Sequence, residues 1–136
     1  MVKLIRDFLI LNSAGNTIYE HISDKTIEGQ LVGMLMSALD SFANQIDEGG
    51  LQNFELSDTR FSLLKKHGLI FIASSSQKVK EKNLLEELNS LTESFFDKYG
   101  KDIMIKWDGD LGLFENFDQI VERSVDDNVL DFLDGI

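Results

Sequence analysis

The chain has no cysteine and no proline, a single tryptophan, and only 13 lysines and arginines against 24 aspartates and glutamates. Each shortage removes a class of explanation. Without cysteine there is no disulfide framework and no thiolate metal site, which agrees with a cytoplasmic setting. Without proline no proline-rich linker divides the chain. A formal net charge of -11 repels nucleic acid and anionic membrane surfaces at long range, so neither is expected as a partner. The apolar runs are far shorter than a bilayer span, and no direct membrane insertion is expected. Residues 1–11 carry Lys3 and Arg6, but Asp7 interrupts their apolar run and no small-residue cleavage site follows. That pattern reads as a strand rather than a signal peptide.

What is present is ordinary for a globular domain: 136 residues, 43% hydrophobic and 27% charged, enough for one domain with a real core. Residues 51–76 read as three consecutive strands. Phe54 and Leu56 alternate with Glu55, Phe61 and Leu63 alternate with Ser62, and 69–73 is apolar without a break. Alternation predicts half-buried strands, and an unbroken run predicts a central strand covered on both faces. Ser57-Asp58 and His67-Gly68 supply the turns. Residues 3–12 hold the second unbroken run, Phe8-Leu9-Ile10-Leu11, and predict another central strand. A turn cluster at 12–16 leads to a half-exposed strand over 17–22, completing a hairpin.

A long helix is predicted from Ile27 to about Asp47. Leu31, Met34, Leu35, Ala38, Leu39, Phe42 and Ile46 recur at three- and four-residue steps. Ser74-Ser75-Ser76-Gln77 is read as the opening of a second helix over 78–99, with Leu84, Leu88, Leu91, Phe95 and Tyr99 inward and Gly100 as its stop. An apolar connector at 103–107 and a turn at Asp108-Gly109-Asp110 then precede a third helix near 113–125. The division expected is a domain over 1–125 and an acidic amphipathic tail over 126–136.

Few residues suggest chemistry. Glu20 and His21 with Asp24 nearby could hint at a metal, but neighbouring strand residues face opposite sides. Asp108 and Asp110 flank Gly109 without the other oxygen ligands of a calcium loop. His67 reads as part of a solvated turn, and Trp107 as a core plug beneath the third helix. Ser74 to Ser76 lack the glycine-flanked elbow of a nucleophile. Gly15 and Gly68 belong to no phosphate-binding glycine pattern. With no convergent acid, base and nucleophile, no enzyme and no cofactor are expected.

The element order, strand-strand-helix-strand-strand-strand-helix-helix, admits several α/β sandwiches. The residues also resemble the longin domain, in LIRDFLILNSAGNTIYEH, LVGMLMSALDSFANQI, FELSDTRFSLLKKHGLIFIASSS and FFDKYGKDIMIKWDGDLGLFENFDQIV, over about 2–123. That resemblance implies a longin/profilin-like, SNARE-like α+β fold. Its five-stranded antiparallel-type sheet would carry the long helix on one face and the last two helices on the other. The related roadblock fold normally begins with an extra helix, which this chain lacks.

The resemblance further implies a cytoplasmic, protein-binding module of vesicle trafficking, peripheral to membranes through its partners. Those partners would be a small GTPase or another longin or roadblock domain, with a homodimer open. Neither SNARE heptads nor an anchor follow the domain, which favours an adaptor or a subunit of a GTPase-regulating complex. The alternative is a PAS- or profilin-like small-molecule sensor, which would need polar groups converging inside the sheet, where the strand residues offer almost none.

The candidate partner site comes from the residues themselves. Beside its main apolar face the long helix carries a second stripe, Val32, Met36 and Ala43, with Gly29 and Gly33 permitting close approach. An apolar stripe left outside the sheet contact marks an interface, unless the tail or a sheet edge covers it. Phe132 and Leu133 in the tail are the second candidates for partner contact.

Overall fold

The computed structural model describes residues 4–12, 17–22, 51–56, 59–107, 109 and 111–123. Five strands, β1 (Asp7–Asn12), β2 (Thr17–Ile22), β3 (Leu51–Leu56), β4 (Thr59–Lys66) and β5 (Leu69–Ser76), form one sheet in the order β2-β1-β5-β4-β3. Every neighbouring pair is antiparallel. The two unbroken apolar runs therefore lie side by side in the middle, where both faces of a strand are covered. Phe8, Leu9, Ile10 and Leu11 are at most 1% exposed.

Local chemistry sets the connections. His67 (φ 50°) and Gly68 (φ 80°) form the two-residue link between β4 and β5. Two successive positive φ values are those of a type I′ turn, whose twist matches that of the strands it joins. Between β1 and β2 the register slips from Ile10↔Tyr19 to Leu11↔Thr17. This bulge breaks the alternation expected of β2, and Ile18 and Tyr19 are both buried, while Glu20 is exposed.

The helix α1 (Glu81–Tyr99) buries Leu84, Leu88, Leu91, Thr92, Phe95 and Phe96, a stripe at three- and four-residue spacing. It packs on β4 and β5. Thr92 donates its buried hydroxyl to the Leu88 carbonyl at 2.8 Å, so the polar group costs the core little. Gly100 ends the helix at φ 91°, its N–H donating to the Phe96 carbonyl at 2.8 Å. A one-turn helix α2 (Ile103–Lys106), a 3-10 helix (Leu111–Phe117) and a one-turn helix α3 (Asp118–Val121) follow.

Four expectations are corrected. The serines at 74–76 end β5 instead of opening a helix, and α1 begins at Glu81. Ser74 and Ser75 are buried in the sheet, where ladder pairing with β1 and β4 outweighs their preference for helix starts. Residues 103–106, read as a connector, form a helical turn. The third helix is a seven-residue 3-10 segment with only one α turn after it. Phe114, Phe117 and Val121 are all at most 1% exposed, so the backbone winds to deliver these side chains to the core rather than to complete α turns. β4 is not half-buried: Phe61, Ser62, Leu63 and Leu64 are all covered, and Ser62 donates to Asn53 Oδ1 at 2.6 Å. The expected helix over 27–47, the turn at 57–58 and the tail at 126–136 lie outside the described residues.

The helix side of the sheet is filled by aromatic rings. Phe95 lies 5.6 Å from Phe71, 5.6 Å from Phe114, 5.4 Å from Phe117 and 4.9 Å from Tyr99 between centroids. Phe117 also meets Tyr19 edge-on at 5.6 Å. Half-buried Trp107 packs on Phe114 at 5.2 Å, under the 3-10 segment as expected. Such pairs add to burial because ring edge and ring face carry opposite partial charge. Phe95→Ala or Phe117→Ala should each cost about 3–5 kcal/mol of stability, read as a lowered midpoint in urea unfolding; a loss below about 1 kcal/mol would show that the cluster is not the core.

Candidate protein-interaction surface

Leu9, Leu11, Ile22, Phe61, Leu63, Ile70 and Ile72 are buried, yet none belongs to the cluster that α1 and the C-terminal helices cover. They form the opposite face of the sheet, since paired residues of adjacent strands share a face: Leu9↔Ile72, Leu63↔Ile72 and Leu11↔Ile70. A second layer is therefore required on that side.

One polar pair sits on this second face. Asp7 is 6% exposed and Ser74, its partner across β1 and β5, is 1% exposed. Ser74 donates its hydroxyl to Asp7 Oδ2 at 2.6 Å, and the Arg6 N–H donates to the Ser74 carbonyl at 2.8 Å. The sequence pattern missed this pair, although Asp7 inside an apolar run was a signal for it. The sheet interior is thus less purely apolar than expected, but these groups satisfy one another. Neither histidine can complete a Ser-His-Asp relay with them. His21 pairs with Phe8 and so faces the helix side. His67 lies at the far end of β5, seven residues or roughly 23 Å along the strand from Ser74, and packs edge-on against Phe96 at 4.8 Å.

At the β2 edge, Tyr19 donates its hydroxyl to Asp118 Oδ1 at 2.6 Å and ties the edge strand to α3. Burial first, then the hydrogen bond to Asp118 and its charge, push the Tyr19 phenol far above the ordinary tyrosine range. Burial also raises Tyr99, with a smaller contribution from Asp118, and its hydroxyl donates to the Leu113 carbonyl at 3.0 Å. The C-terminal segment is thus pinned by two phenols and three apolar anchors.

The candidate contact residues Gly29, Val32, Gly33, Met36, Ala43, Phe132 and Leu133 lie outside the described residues, as do Asp24, Asp108 and Asp110. Of the other positions singled out, Glu20 is exposed and His21 half-buried on adjacent positions of β2.

A family model described as the first longin domain of FUZ, MON1 and HPS1 matches residues 6–105. The chain belongs to the longin family. The match runs from the strand pair β1–β2 through α1 to α2, so it takes in the whole sheet. Among solved structures, the chain is similar to the Roadblock/LC7 domain from Streptomyces avermitilis, at 16% identity, a TM-score of 0.51, and coverage of 71% of this chain and 85% of that one. It also aligns with Myxococcus xanthus MglB at 12% identity and a TM-score of 0.44, over 83% of this chain and 79% of that one. By the family match and the likeness to the Roadblock/LC7 domain, the longin domain described here has a roadblock/longin-like α+β fold, and its coarse class is that of a protein-interaction module.

The phenol chemistry gives a test. A folded pKa raised above the unfolded value of about 10 contributes stability that is fully present below pH 10 and lost as pH climbs further. Unfolding free energy of this longin domain should therefore fall above about pH 10. Tyr19→Phe should cost about 0.5–1.5 kcal/mol at neutral pH and make that alkaline decline shallower; an unchanged slope in the variant would remove Tyr19 as its source.

Proposed function

We propose that this longin domain is a non-catalytic, cytoplasmic interaction module, an adaptor or subunit of a complex that binds or regulates small GTPases in membrane trafficking. The observation that carries the reading is the family match across 6–105, which includes every strand of the sheet. Its partners are a small GTPase or another longin or roadblock domain, a second copy of itself included, and any membrane contact is made through them. Among the described residues no helix is long and apolar enough to cross a membrane.

The buried second face of the sheet supports the site assignment. Those strand residues need an apolar cover, and the segment at 27–47 has the one long amphipathic pattern available for it. If its main face meets the sheet, the stripe of Val32, Met36 and Ala43 beside Gly29 and Gly33 turns away and becomes the partner contact, with Phe132 and Leu133 in a separate acidic tail as a second one. A small-molecule sensor is the weaker reading, because the buried polar groups Asp7 and Ser74 bond to each other.

The immobilised chain, incubated with native lysate in GDP or in a non-hydrolysable GTP analogue, should retain a small GTPase in one nucleotide state. Met36→Glu should abolish that retention with little loss of fold. Unfolding of this variant would place the stripe in the core, and nucleotide-independent recovery of the chain alone would overturn the GTPase reading.

A further inference from the structure

Among the described residues two large apolar side chains stand in solvent, Ile105 at 87% exposure and Leu113 at 39%. They lie at one corner of the fold. Trp107 follows the α2 turn that carries Ile105, and it packs on Phe114, the chain neighbour of Leu113, at 5.2 Å between ring centroids. Tyr99 fixes the other flank, its hydroxyl donating to the Leu113 carbonyl at 3.0 Å. Ile103 enters the core at 7% exposure, and two residues on, about 200° around the helix, Ile105 faces outward. Single apolar residues on a surface need no explanation, but two of them beside a half-buried tryptophan make a patch of the kind that marks a contact.

The chain itself supplies a segment of matching chemistry. Residues 124–136 hold Val129, Phe132, Leu133 and Ile136 at three- and four-residue steps among aspartates, a spacing that predicts an amphipathic helix with one apolar edge. The segment leaves the described fold at Arg123, two residues beyond α3. Between Leu113 and Arg123 the chain is a 3-10 segment, one α turn and a bend, so the two are separated by at most about 20 Å at the rises of those windings. Residues 124–128, extended at about 3.3 Å each, cover most of that distance, and eight helical residues add about 12 Å. Charge also permits the approach. His67 packs edge-on to Phe96, which sets the β4–β5 turn with Lys65 and Lys66 beside the α1 end with Lys98 and Lys101. Over 65–67 and 97–115 lysines and acids are equal in number, in a chain of net charge -11. An acidic segment is repelled less there than by the chain as a whole.

We propose that residues 124–136 dock as an amphipathic helix on the Ile105 and Leu113 patch of their own domain, with Phe132 and Leu133 inward. A second copy of the chain is the weaker occupant, because specific dimer interfaces bury on the order of 1,000 Å² or more, beyond what two exposed side chains offer. A tethered segment meets the patch at an effective concentration in the millimolar range, so a small contact suffices. The docking stands whatever the partner is; its consequence rests on the proposed function. Phe132 and Leu133, read there as partner contacts, are withheld while docked and freed when a partner competes for them.

The chain has no cysteine, so Asp134→Cys accepts a single nitroxide spin label. In nuclear magnetic resonance spectra of the full labelled chain, the methyl signals of Ile105 and Leu113 and the indole signal of Trp107 should lose most of their intensity. Signals of Thr59 and Arg60, at the other end of β4, should keep theirs. Adding Ile105→Asp, or Phe132→Asp with Leu133→Asp, should restore the intensity at Leu113 and Trp107 with the spectrum still that of a folded domain. Full intensity at Ile105 and Leu113 in the labelled chain would overturn the proposal, as would losses that Ile105→Asp leaves in place. Losses passed in a mixture from a labelled chain to an isotope-enriched, unlabelled one would overturn it in favour of a second copy. No partner is added, so failure here is distinct from failure of the small-GTPase reading.

Discussion

A strand buried on both faces must give all its backbone hydrogen bonds to neighbouring strands and all its side chains to covering layers, and β5 is in that position. Its ladder runs against β1 on one side and β4 on the other. Leu69, Phe71 and Ala73 enter the aromatic cluster on the helix side, while Ile70 and Ile72 serve the opposite face. Neither layer can be omitted without leaving a row of large apolar side chains in water, at roughly 1.5–3 kcal/mol each. The α1 stripe and the anchors Phe114, Phe117 and Val121 meet that requirement on one side.

The polar groups inside this core are few and are tied in pairs. Ser74 with Asp7, Ser62 with Asn53, Thr92 with the Leu88 carbonyl and Tyr19 with Asp118 each satisfy a donor that would otherwise cost about 1–3 kcal/mol. Such pairs fix strand register and helix placement more than they add net stability, because a shifted pairing leaves both partners unmatched. They also account for the poor prospects of catalysis at Ser74, whose hydroxyl is already committed on a face that neither histidine shares.

Longin membership identifies the chain as a binding platform, and the contact proposed on 27–47 is an apolar one, which would supply affinity by excluding water.

The strands were readable from sequence because their signals are local: Phe8 to Leu11 and Leu69 to Ala73 announce central strands by lacking alternation, and Gly68 and Gly100 mark turns that require positive φ. The stripe of α1 was readable for the same reason. The serines at 74–76 were misread because serine suits a helix start and a sheet end equally, and only the partner strands decide between them. The third helix was misread because 3-10 and α windings share three-residue spacing, and the core's demand for Phe114, Phe117 and Val121 selects the former. That Arg60 reaches both Glu55 and Glu81 is likewise a tertiary fact. Composition and periodicity, then, determined by themselves the strands and the amphipathic helix, while the family was legible only through the resemblance of whole segments. What only the tertiary structure decided were the pairings, such as Tyr19 with Asp118 across 99 residues, because a hydrogen bond between distant positions leaves no periodic trace in either segment.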